Sequence, residues 1–285
     1  MIYALVTIYS PNKDVIENIK ILSSQVDIVY LCDNSSSQNM PMFEEIKNCT
    51  YVFNGANLGL SQAFNRILKN EKYTFSDDDF IIFFDQDSRI SDSYIEELMA
   101  EYKTIEKQGI PIGCLGPVYY DSGSGKIEIP IQKKYISAHS FQVKSIITSS
   151  MLCRYKNLKF VNFWTEQVFL DMADWDICWK FIKSNLVCCM TDIVTLHHSL
   201  GKGKKKLLCF SIQEWNPIRV YYQTRDSIFL LFRNYSPFKF KIRFLYILFL
   251  RPIVYFIFLN KRKQRLYYYI KGIKDYFCGK NDSLI

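Results

Sequence analysis

The stretch Phe80-Ile81-Ile82-Phe83-Phe84-Asp85-Gln86-Asp87-Ser88 decides the fold of this 285-residue chain. Five consecutive large apolar residues, each aromatic or β-branched, predict a strand that is buried on both faces. The run stops at two carboxylates one residue apart, Asp85 and Asp87. Because the ligand crevice of an open α/β sheet lies outside the carboxyl ends of its strands, these carboxylates can face a ligand while the strand holds them rigid.

Two aspartates in this arrangement predict a metal or phosphate site. Their oxygen atoms are the hard ligands that Mg²⁺ and Mn²⁺ prefer, and these ions are often shared with a substrate diphosphate. Taken alone, Asp85 and Asp87 have an alternative interpretation as a polar turn after a strand, because short acidic pairs are common in turns.

The segments around this strand indicate an α/β fold. Ile2 to Ile8 is predicted as the first strand, followed by a helix from about Val15 to Ser24, and Val26 to Leu31 and Tyr51 to Phe53 as further strands. Strand, helix, strand units give parallel strands with right-handed crossovers. After the two aspartates we predict a helix over 93–107 and strands over 112–119, 143–152 and 187–196. The fold class is therefore a mixed, mostly parallel central sheet flanked by helices.

Polar residues follow several of these strands. Asp33 could accept hydrogen bonds from a base or from ribose hydroxyls, and its alternative role is an Asx-turn or a helix cap. Gly55 and Gly59 lie in a strand-to-helix loop, where glycine permits close backbone approach to a phosphate at the helix N-terminus. This loop matches neither the Walker A motif nor the dinucleotide-binding fingerprint.

A second polar cluster contains Asp171, Asp174 and Asp176. Asp174 is predicted near the start of a helix, where a carboxylate can cap unpaired N–H groups. Three aspartates within six residues exceed what one cap requires, so a catalytic base is predicted here. Farther on, His198 precedes a loop rich in glycine and lysine and could ligate a metal or contact a diphosphate, with a purely structural role as the alternative.

The order of these motifs resembles the family 2 inverting glycosyltransferases of GT-A fold, and is most similar to bacterial rhamnosyltransferase-like enzymes that build O-antigens and other surface polysaccharides. The resemblance covers roughly residues 1–230. Each motif alone is weak, and their order makes the resemblance specific. The matching motifs are D-N-S-S from Asp33, N-x-G-L-x-x-A-x-N from Asn57, F-D-Q-D-S from Phe84, D-x-x-D-x-D-x-x-x-K from Asp171 and H-S-L-G from His198.

The resemblance implies a role for each matching residue. Asp174 would be the catalytic base, and Asp85, Asp87 and His198 would surround a Mg²⁺ or Mn²⁺ ion, with Asp87 the more direct ligand. The residues implied in donor binding are Thr7, Tyr9 and Asp33 at the base and ribose, Asn57, Gly59, Asn65 and Asp85 near the diphosphate, and Arg225 in a stretch that resembles R-x-Y-Y-x-x-R-N.

The chain departs from the family pattern at three positions. Ala173 replaces the acidic residue that usually precedes the base, Lys180 replaces an arginine, and Asp226 replaces the asparagine after Arg225. Asp171 and Asp176 therefore remain alternatives to Asp174 as the base.

The implied activity is transfer of a sugar from a nucleotide-sugar donor to a polyprenyl-diphosphate-linked saccharide acceptor, with L-rhamnose from dTDP-rhamnose as the favoured donor. The alternatives are a D-x-D phosphohydrolase and a non-enzymatic basic membrane-binding protein. Phosphohydrolases of that kind usually carry their motif on the first strand, whereas two βα units precede it here.

Charge divides the chain into two parts. The net charge is +8, but residues 1–199 carry 18 basic and 24 acidic residues, and residues 200–285 carry 18 and 4. The acidic balance of the first part argues against a nucleic-acid partner, whereas the basic balance of the second predicts contact with an anionic surface. The chain opens directly on an apolar strand, with nothing that resembles a signal peptide.

Residues 238–269 are rich in aromatic and aliphatic side chains, with clusters of basic residues on both sides of an apolar run. Arg251-Pro252 is expected to interrupt this apolar run and leave neither half near the ~20 residues that span a bilayer. We therefore expect residues 231–285 to form a helical segment that lies on the anionic inner face of the cell membrane, with the protein in the cytoplasm. A pair of ordinary core helices is the alternative.

The nine cysteines include no C-x-x-C motif and are odd in number. They predict reduced thiols in a reducing compartment.

Overall fold

The structure is a computed structural model that describes residues 1–121, 125–130, 134–198, 204–207, 210–213, 216–280 and 284. The strands in this part of the chain are β1 Ile2–Ile8, β2 Ile28–Asp33, β3 Cys49–Phe53, β4 Phe80–Asp85, β5 Ile112–Asp121, β6 Lys126–Glu128, β7 Lys134–Tyr135, β8 Ser140–Val143, β9 Met151–Arg154, β10 Val187–His198, β11 Lys204–Leu207 and β12 Phe210–Gln213. The α-helices are α1 Lys13–Ser23, α2 Gly59–Leu68, α3 Tyr94–Lys107, α4 Tyr155–Phe160, α5 Ala173–Lys183, α6 Pro217–Leu231, α7 Phe238–Phe258 and α8 Arg262–Phe277.

One large sheet organises the molecule, in the order β3-β2-β1-β4-β9-β5-β10-β8-β7, with β6 beside β5. Strands β1 to β4 pair in parallel, as do β5 and β10. Strand β9 lies between these two groups and pairs with both β4 and β5, antiparallel to each. The predicted mixed α/β sheet flanked by helices is confirmed, and β11 and β12 form a separate hairpin.

The apolar run of β4 is buried on both faces, as its composition predicts. Ile81 and Phe83 belong to one core cluster, and Phe80, Ile82 and Phe84 belong to the other. Helix α2 covers the first face, where the rings of Phe64 and Phe83 lie 4.7 Å apart, and α3 covers the second, where Tyr102 meets Phe80 at 5.1 Å. The strand is thereby fixed from both sides up to Asp85.

The predicted strand over 143–152 is wrong. Strand β8 ends at Val143 and β9 begins at Met151, and the residues between them form a loop. The buried side chains of Thr148, Ser149 and Ser150 hydrogen-bond to other side chains, and Ser150 adopts a positive φ of 66° that a strand does not allow. These local bonds replace the strand pairing that the apolar neighbours of the loop would favour.

Arg251-Pro252 interrupts the apolar run in sequence, but it does not interrupt the helix, because α7 runs for 21 residues with Pro252 inside it. A proline inside a helix leaves the carbonyl four residues earlier without its usual N–H donor. Here the hydroxyl of Tyr269 on α8 donates to that carbonyl, at Leu248. Among the residues that the structure describes, no helix is both long and apolar enough to cross a membrane.

Helix α8 packs closely on α6. A Cβ added at Gly272 would lie 2.8 Å from the carbonyl oxygen of Tyr221, so the glycine permits this approach. One turn away, the Tyr221 hydroxyl donates to Asp275 at 3.0 Å. The C-terminal segment is therefore attached to the α/β body through α8.

The eight described cysteines are free thiols, and six of them are buried. In the core, the Sγ atoms of Cys114, Cys178 and Cys188 all lie within 4.8 Å of one another. Burial raises the pKa of Cys32 to about 12, as expected of a thiol that acts as a small apolar side chain.

Candidate active site

A cleft of about 360 Å³ lies where β1 and β4 end. Five residues predicted from the sequence meet in it: Thr7, Tyr9, Asn57, Gly59 and Asp85. Its other described lining residues are Ile8, Asn34, Leu60, Gln86, Phe169, Leu170, Asn216, Ile218, Arg219 and Tyr222. The cleft thus joins the carboxyl edge of the sheet to the start of α2 and to α6.

Gln86, the residue between the two aspartates, fixes the end of β4 to the end of β1. Its side-chain oxygen accepts from the backbone N–H of Tyr9 at 2.8 Å, and its amide donates to the carbonyl of Tyr9 at 3.2 Å. Asn18 of α1 donates to the carbonyl of Gln86 at 3.1 Å. These bonds hold Asp85, half-buried at the cleft, and Asp87, exposed beside it, on a rigid support.

The donor set at this edge fits a divalent cation. Asp85 and Asp87 offer carboxylate oxygens, and Mg²⁺ is commonly bound by one or two carboxylates together with substrate phosphates. Of the described residues that line the cleft, Arg219 is the only cationic one. Its Nε–H already donates to both oxygens of Asp171, at 2.7 and 3.0 Å, so a bound diphosphate would need further positive charge.

The metal role of His198 stays a prediction. Its backbone ends β10, but its side chain lies outside the described part of the chain.

Asn34 and Gly59 shape the wall opposite the aspartates. The amide of Asn34 donates to the carbonyl of Gly59 at 3.0 Å, and the side chain of Asn57 accepts from the N–H of Gly59 at 3.1 Å. Gly59 has a φ of +73°, and an added Cβ would lie 2.5 Å from the carbonyl oxygen of Phe169. That carbonyl accepts from the N–H of Leu60 at 2.7 Å. Only glycine allows this contact between α2 and the loop before α5.

Three predicted donor-binding residues do not line the cleft. Asp33 is fully buried and accepts from the Ser35 N–H, from Asn39 and from the Tyr51 hydroxyl. Asn65 donates to the carbonyl of Trp164 and to Glu166, and Arg225 is buried in an ion pair with Asp226. The donor-binding roles of Asp33, Asn65 and Arg225 therefore stay predictions.

Helix α6 contributes Arg219 and Tyr222, to which the sequence analysis assigned no role. Because an α-helix turns by about 100° per residue, Arg225 lies about 120° around the helix from Arg219 and points away from the cleft edge that Arg219 occupies. The ring of Tyr222 stacks on Phe169 with centroids 3.9 Å apart. Which of the residues 219–225 reach the cleft depends on the rotation of α6 relative to the sheet, and the local sequence does not give that rotation.

Asp226, which replaces the asparagine of the family pattern, has a structural role. Its carboxylate accepts from the N–H of Phe169 at 2.8 Å and from Arg225 at 3.0 Å. Burial raises the pKa of Asp226 to about 7, and the charge of Arg225 opposes that rise. Asp226 thereby ties α6 to the loop that closes the cleft at Phe169.

Asp174 lies in the first turn of α5, and its charge interacts with that of Asp85. Its carboxylate accepts from the N–H of Thr148 at 3.0 Å and from the Thr148 hydroxyl. The pKa of Asp174 is raised to about 7, chiefly by burial and in smaller part by the charges of Cys178 and Asp85, while the hydrogen bonds from Thr148 oppose the rise. A carboxyl group with a pKa near neutrality is suited to accept a proton in a catalytic step.

The two alternative bases are engaged elsewhere. Asp171 is held by Arg219, and Asp176 is 1% exposed and accepts from the hydroxyl of Tyr235 at 2.6 Å. The charge of Asp85 contributes to the raised pKa of Asp174, which associates Asp174 with the D-x-D.

The loop over 144–150, missed by the sequence analysis, connects the two acidic positions. Its Ser149 hydrogen-bonds to Ser88 after the D-x-D, and its Ser150 to Tyr94 at 2.8 Å. The N–H of Ser150 donates to Phe83 in β4 at 2.6 Å. Since Thr148 of the same loop binds Asp174, one buried loop holds the end of β4 and the start of α5 together.

Solved structures share the fold. GalNAc-T7 with UDP, GalNAc and Mn²⁺ gives a TM-score of 0.60 over 97% of this chain at 11% identity, and the chain spans 55% of the length of that protein. S. aureus TarS 1–349 in complex with UDP-GlcNAc gives a TM-score of 0.59 over 96% of this chain and 80% of the TarS chain, at 16% identity. The expected GT-A fold is therefore confirmed.

Sequence comparisons agree with this fold. The dTDP-rhamnosyl transferase RfbF of Shigella flexneri is 26% identical over 255 residues, which cover 85% of this chain and 83% of RfbF. Residues 5–156, more than half of the chain, match the model of glycosyl transferase family 2, and this match includes the D-x-D, the Gly59 loop and the Ser149 loop. These matches support a transferase over the phosphohydrolase and non-enzymatic alternatives. The chain belongs to glycosyl transferase family 2.

Proposed function

We propose that the protein transfers L-rhamnose from dTDP-rhamnose, with inversion, to a saccharide carried on a polyprenyl diphosphate, during synthesis of O-antigen or another surface polysaccharide. The observation that supports the reaction most is that one loop binds Asp174 through Thr148 and holds the end of β4, which carries Asp85 into the cleft, through Ser149 and Ser150. The similarity to a dTDP-rhamnosyl transferase supports the choice of donor.

In the proposed reaction, Asp174 accepts the proton of an acceptor hydroxyl while that oxygen attacks the anomeric carbon. The new carbon–oxygen bond forms on the face opposite the diphosphate, the bond to the diphosphate breaks, and the nucleoside diphosphate leaves with the electron pair. Asp85 and Asp87 would hold Mg²⁺ or Mn²⁺, which when bound neutralises negative charge on the leaving diphosphate. Thr7 and Tyr9 at the end of β1 would contact the nucleoside.

The C-terminal helices would attach this catalytic domain, residues 1–230, to the inner face of the cell membrane. Phe249, Ile253 and Phe256 are 70%, 53% and 49% exposed, and their spacing places them on one face of α7. Basic residues lie at both ends of α7: Lys239, Lys241 and Arg243 near its start, and Lys261, Arg262 and Lys263 after its end. A helix with exposed apolar side chains and adjacent cations suits the interface of an anionic membrane, where a lipid-linked acceptor would be found.

Replacing Asp174 by Asn tests the proposal. We expect a loss of ~10²–10⁴-fold in turnover, because a positioned base contributes about that much, with donor affinity nearly unchanged. The measurement is release of dTDP from dTDP-rhamnose in the presence of a lipid-linked acceptor, with nucleotide affinity determined separately. Turnover that is unchanged in Asp174→Asn would refute its role as the base. A loss confined to Asp171→Asn or Asp176→Asn would transfer the role to that residue.

A further inference from the structure

A second groove, of about 900 Å³, runs along α5 and the start of α7. Its walls are aromatic: Trp175 and Trp179 lie one turn apart on α5, and the ring of Phe240 meets them at centroid distances of 5.8 and 4.7 Å. Phe238 and Tyr235 complete the apolar lining. None of the described residues of this groove lines the cleft beside Asp85.

The polar lining of this groove is cationic. Lys144, Lys183, Lys239 and Arg243 border it, and none of the described residues that line it is acidic. Asp176 lies beneath the groove, but it is buried and hydrogen-bonded to Tyr235. Aromatic walls with several cations and no lining carboxylate favour an occupant that is both apolar and anionic.

The groove is lined by residues of α5, the helix that also carries the proposed base, and by residues at the start of α7. At one end, Trp175 directly follows Asp174 in the first turn of α5. At the other end, the groove reaches the start of α7, where Phe238 is 75% exposed and Ile242 is 55% exposed. Asp174 itself does not line the groove, and the apolar surface that continues from the groove is that of α7.

We propose that this groove binds the prenyl diphosphate portion of the acceptor. The isoprenoid chain packs against Trp175, Trp179 and the phenylalanines of α7, and the diphosphate contacts the lysines and Arg243. This assignment rests on the proposed function, since it names where the acceptor of that reaction is held.

Farnesyl diphosphate, a short isoprenoid diphosphate, is the probe that tests this assignment. Quenching of tryptophan fluorescence by increasing probe should saturate, because two of the four tryptophans line the groove. We expect farnesol and inorganic diphosphate each to bind at least about tenfold more weakly than farnesyl diphosphate. Farnesol lacks the diphosphate that the cations would contact, and inorganic diphosphate lacks the isoprenoid chain that the aromatic walls would contact. Equal binding of farnesol and farnesyl diphosphate would overturn the role of the cations.

Variants of exposed residues locate the site without threatening the core. Lys183→Glu combined with Lys239→Glu should weaken farnesyl diphosphate at least about tenfold and raise the acceptor KM, while Lys103→Glu, an exposed charge reversal on α3, should change neither. Affinity that is unchanged in the double variant would overturn the proposal. If the Lys183/Lys239 variant instead dissociated a dimer of the wild-type chain in light scattering, the groove would be a self-association surface and the proposal would be wrong.

Nucleotide binding distinguishes a failure of the groove assignment from a failure of the proposed function. If dTDP binds the wild type and the double variant equally but farnesyl diphosphate binds neither, the groove assignment fails alone. If no nucleotide binds the wild type, the proposed function fails first.

Discussion

Thr148 controls the protonation of the proposed base. Its N–H and hydroxyl both donate to Asp174, and both stabilise the ionised carboxylate against the opposing effect of burial. Since the base acts in its ionised form, turnover should rise with pH through the pKa of about 7 that Asp174 has in the folded protein.

In the pH profile of turnover, the rise through the pKa of Asp174 forms the acidic limb. Replacing Thr148 by Ala should move this limb to higher pH. Loss of one donor removes stabilisation of the carboxylate worth about 0.5–1.5 kcal/mol, so the limb should shift upward by about half to one pH unit. Thr148→Ser keeps a hydroxyl and should leave the limb in place. The measurement is the pH profile of kcat for the three proteins, and superimposable Ala and wild-type profiles would contradict the assigned contact.

At the level of single residues, the sequence identified the candidate site residues that lie at the end of a predicted strand or at the start of a predicted helix. Asp85 ends an unmistakable buried strand, and Gly59 and Asp174 each begin a helix, so their placement followed from local patterns. Thr148 and Arg219 could not be placed in the same way. Thr148 bonds to a residue 26 positions away in the chain, and the position of Arg219 at the cleft depends on the rotational phase of α6.

Among the structural elements, the turn into α2 is the one that the cleft depends on most. Gly55 and Gly59 both have positive φ values, of 74° and 73°, but only Gly59 is in close contact with another segment. Substitution at Gly55 therefore measures the cost of a positive φ alone, whereas substitution at Gly59 measures that cost together with a steric clash.

Gly59→Ala should destabilise the protein by about 2–4 kcal/mol, because it adds a clash with Phe169 to the cost of a positive φ. Gly55→Ala should cost only about 1–2 kcal/mol, since no atom lies within 4 Å of its added Cβ. Denaturant unfolding measures both free energies. Equal losses in the two variants would show that the contact between Gly59 and Phe169 contributes nothing to stability.

Where local patterns misled at this scale, a partner from another element explains the error. The loop over 144–150 resembles a strand in sequence, but its hydroxyls bind Ser88, Tyr94 and Asp174. A contact of the same kind occurs in α7, where Tyr269 of α8 donates to the carbonyl that Pro252 leaves without its usual donor. Neither partner is adjacent in the chain, so no local pattern could reveal it.

For the whole molecule, the central question is how the C-terminal helices serve the α/β body. Helix α8 is bound to α6, whereas α7 exposes apolar side chains along most of its length. Deleting residues 238–285 would uncover the face of α6 that α8 covers, so substitutions on α7 give a cleaner test than truncation.

Phe249→Glu combined with Phe256→Glu should reduce binding to phosphatidylglycerol vesicles at least about tenfold, because two aromatic side chains no longer enter the membrane interface. Phe160→Glu, which changes a phenylalanine that is 69% exposed on α4, is the matched control and should bind like the wild type. Cosedimentation with vesicles measures the bound fraction, and high salt should weaken wild-type binding. Equal cosedimentation of all three proteins would contradict a membrane role for α7.

The charge asymmetry of the sequence indicated this division of the molecule, because net charge can be counted without a structure. The attachment of α8 to α6 through Gly272 could not be predicted, since it depends on how closely two helices approach.

The central claim is that the cleft beside Asp85 is a metal-assisted nucleotide-sugar site, and thermal unfolding with dTDP, UDP and GDP tests it most directly, with and without Mg²⁺ or Mn²⁺. A nucleotide at ~100 times its Kd should stabilise the native protein by ~2.7 kcal/mol. We predict that dTDP gives the largest shift in Tm, that the shift requires the metal, and that Asp87→Ala abolishes it. No shift with any nucleotide, or a shift that is the same in Asp87→Ala and without metal, would contradict the account.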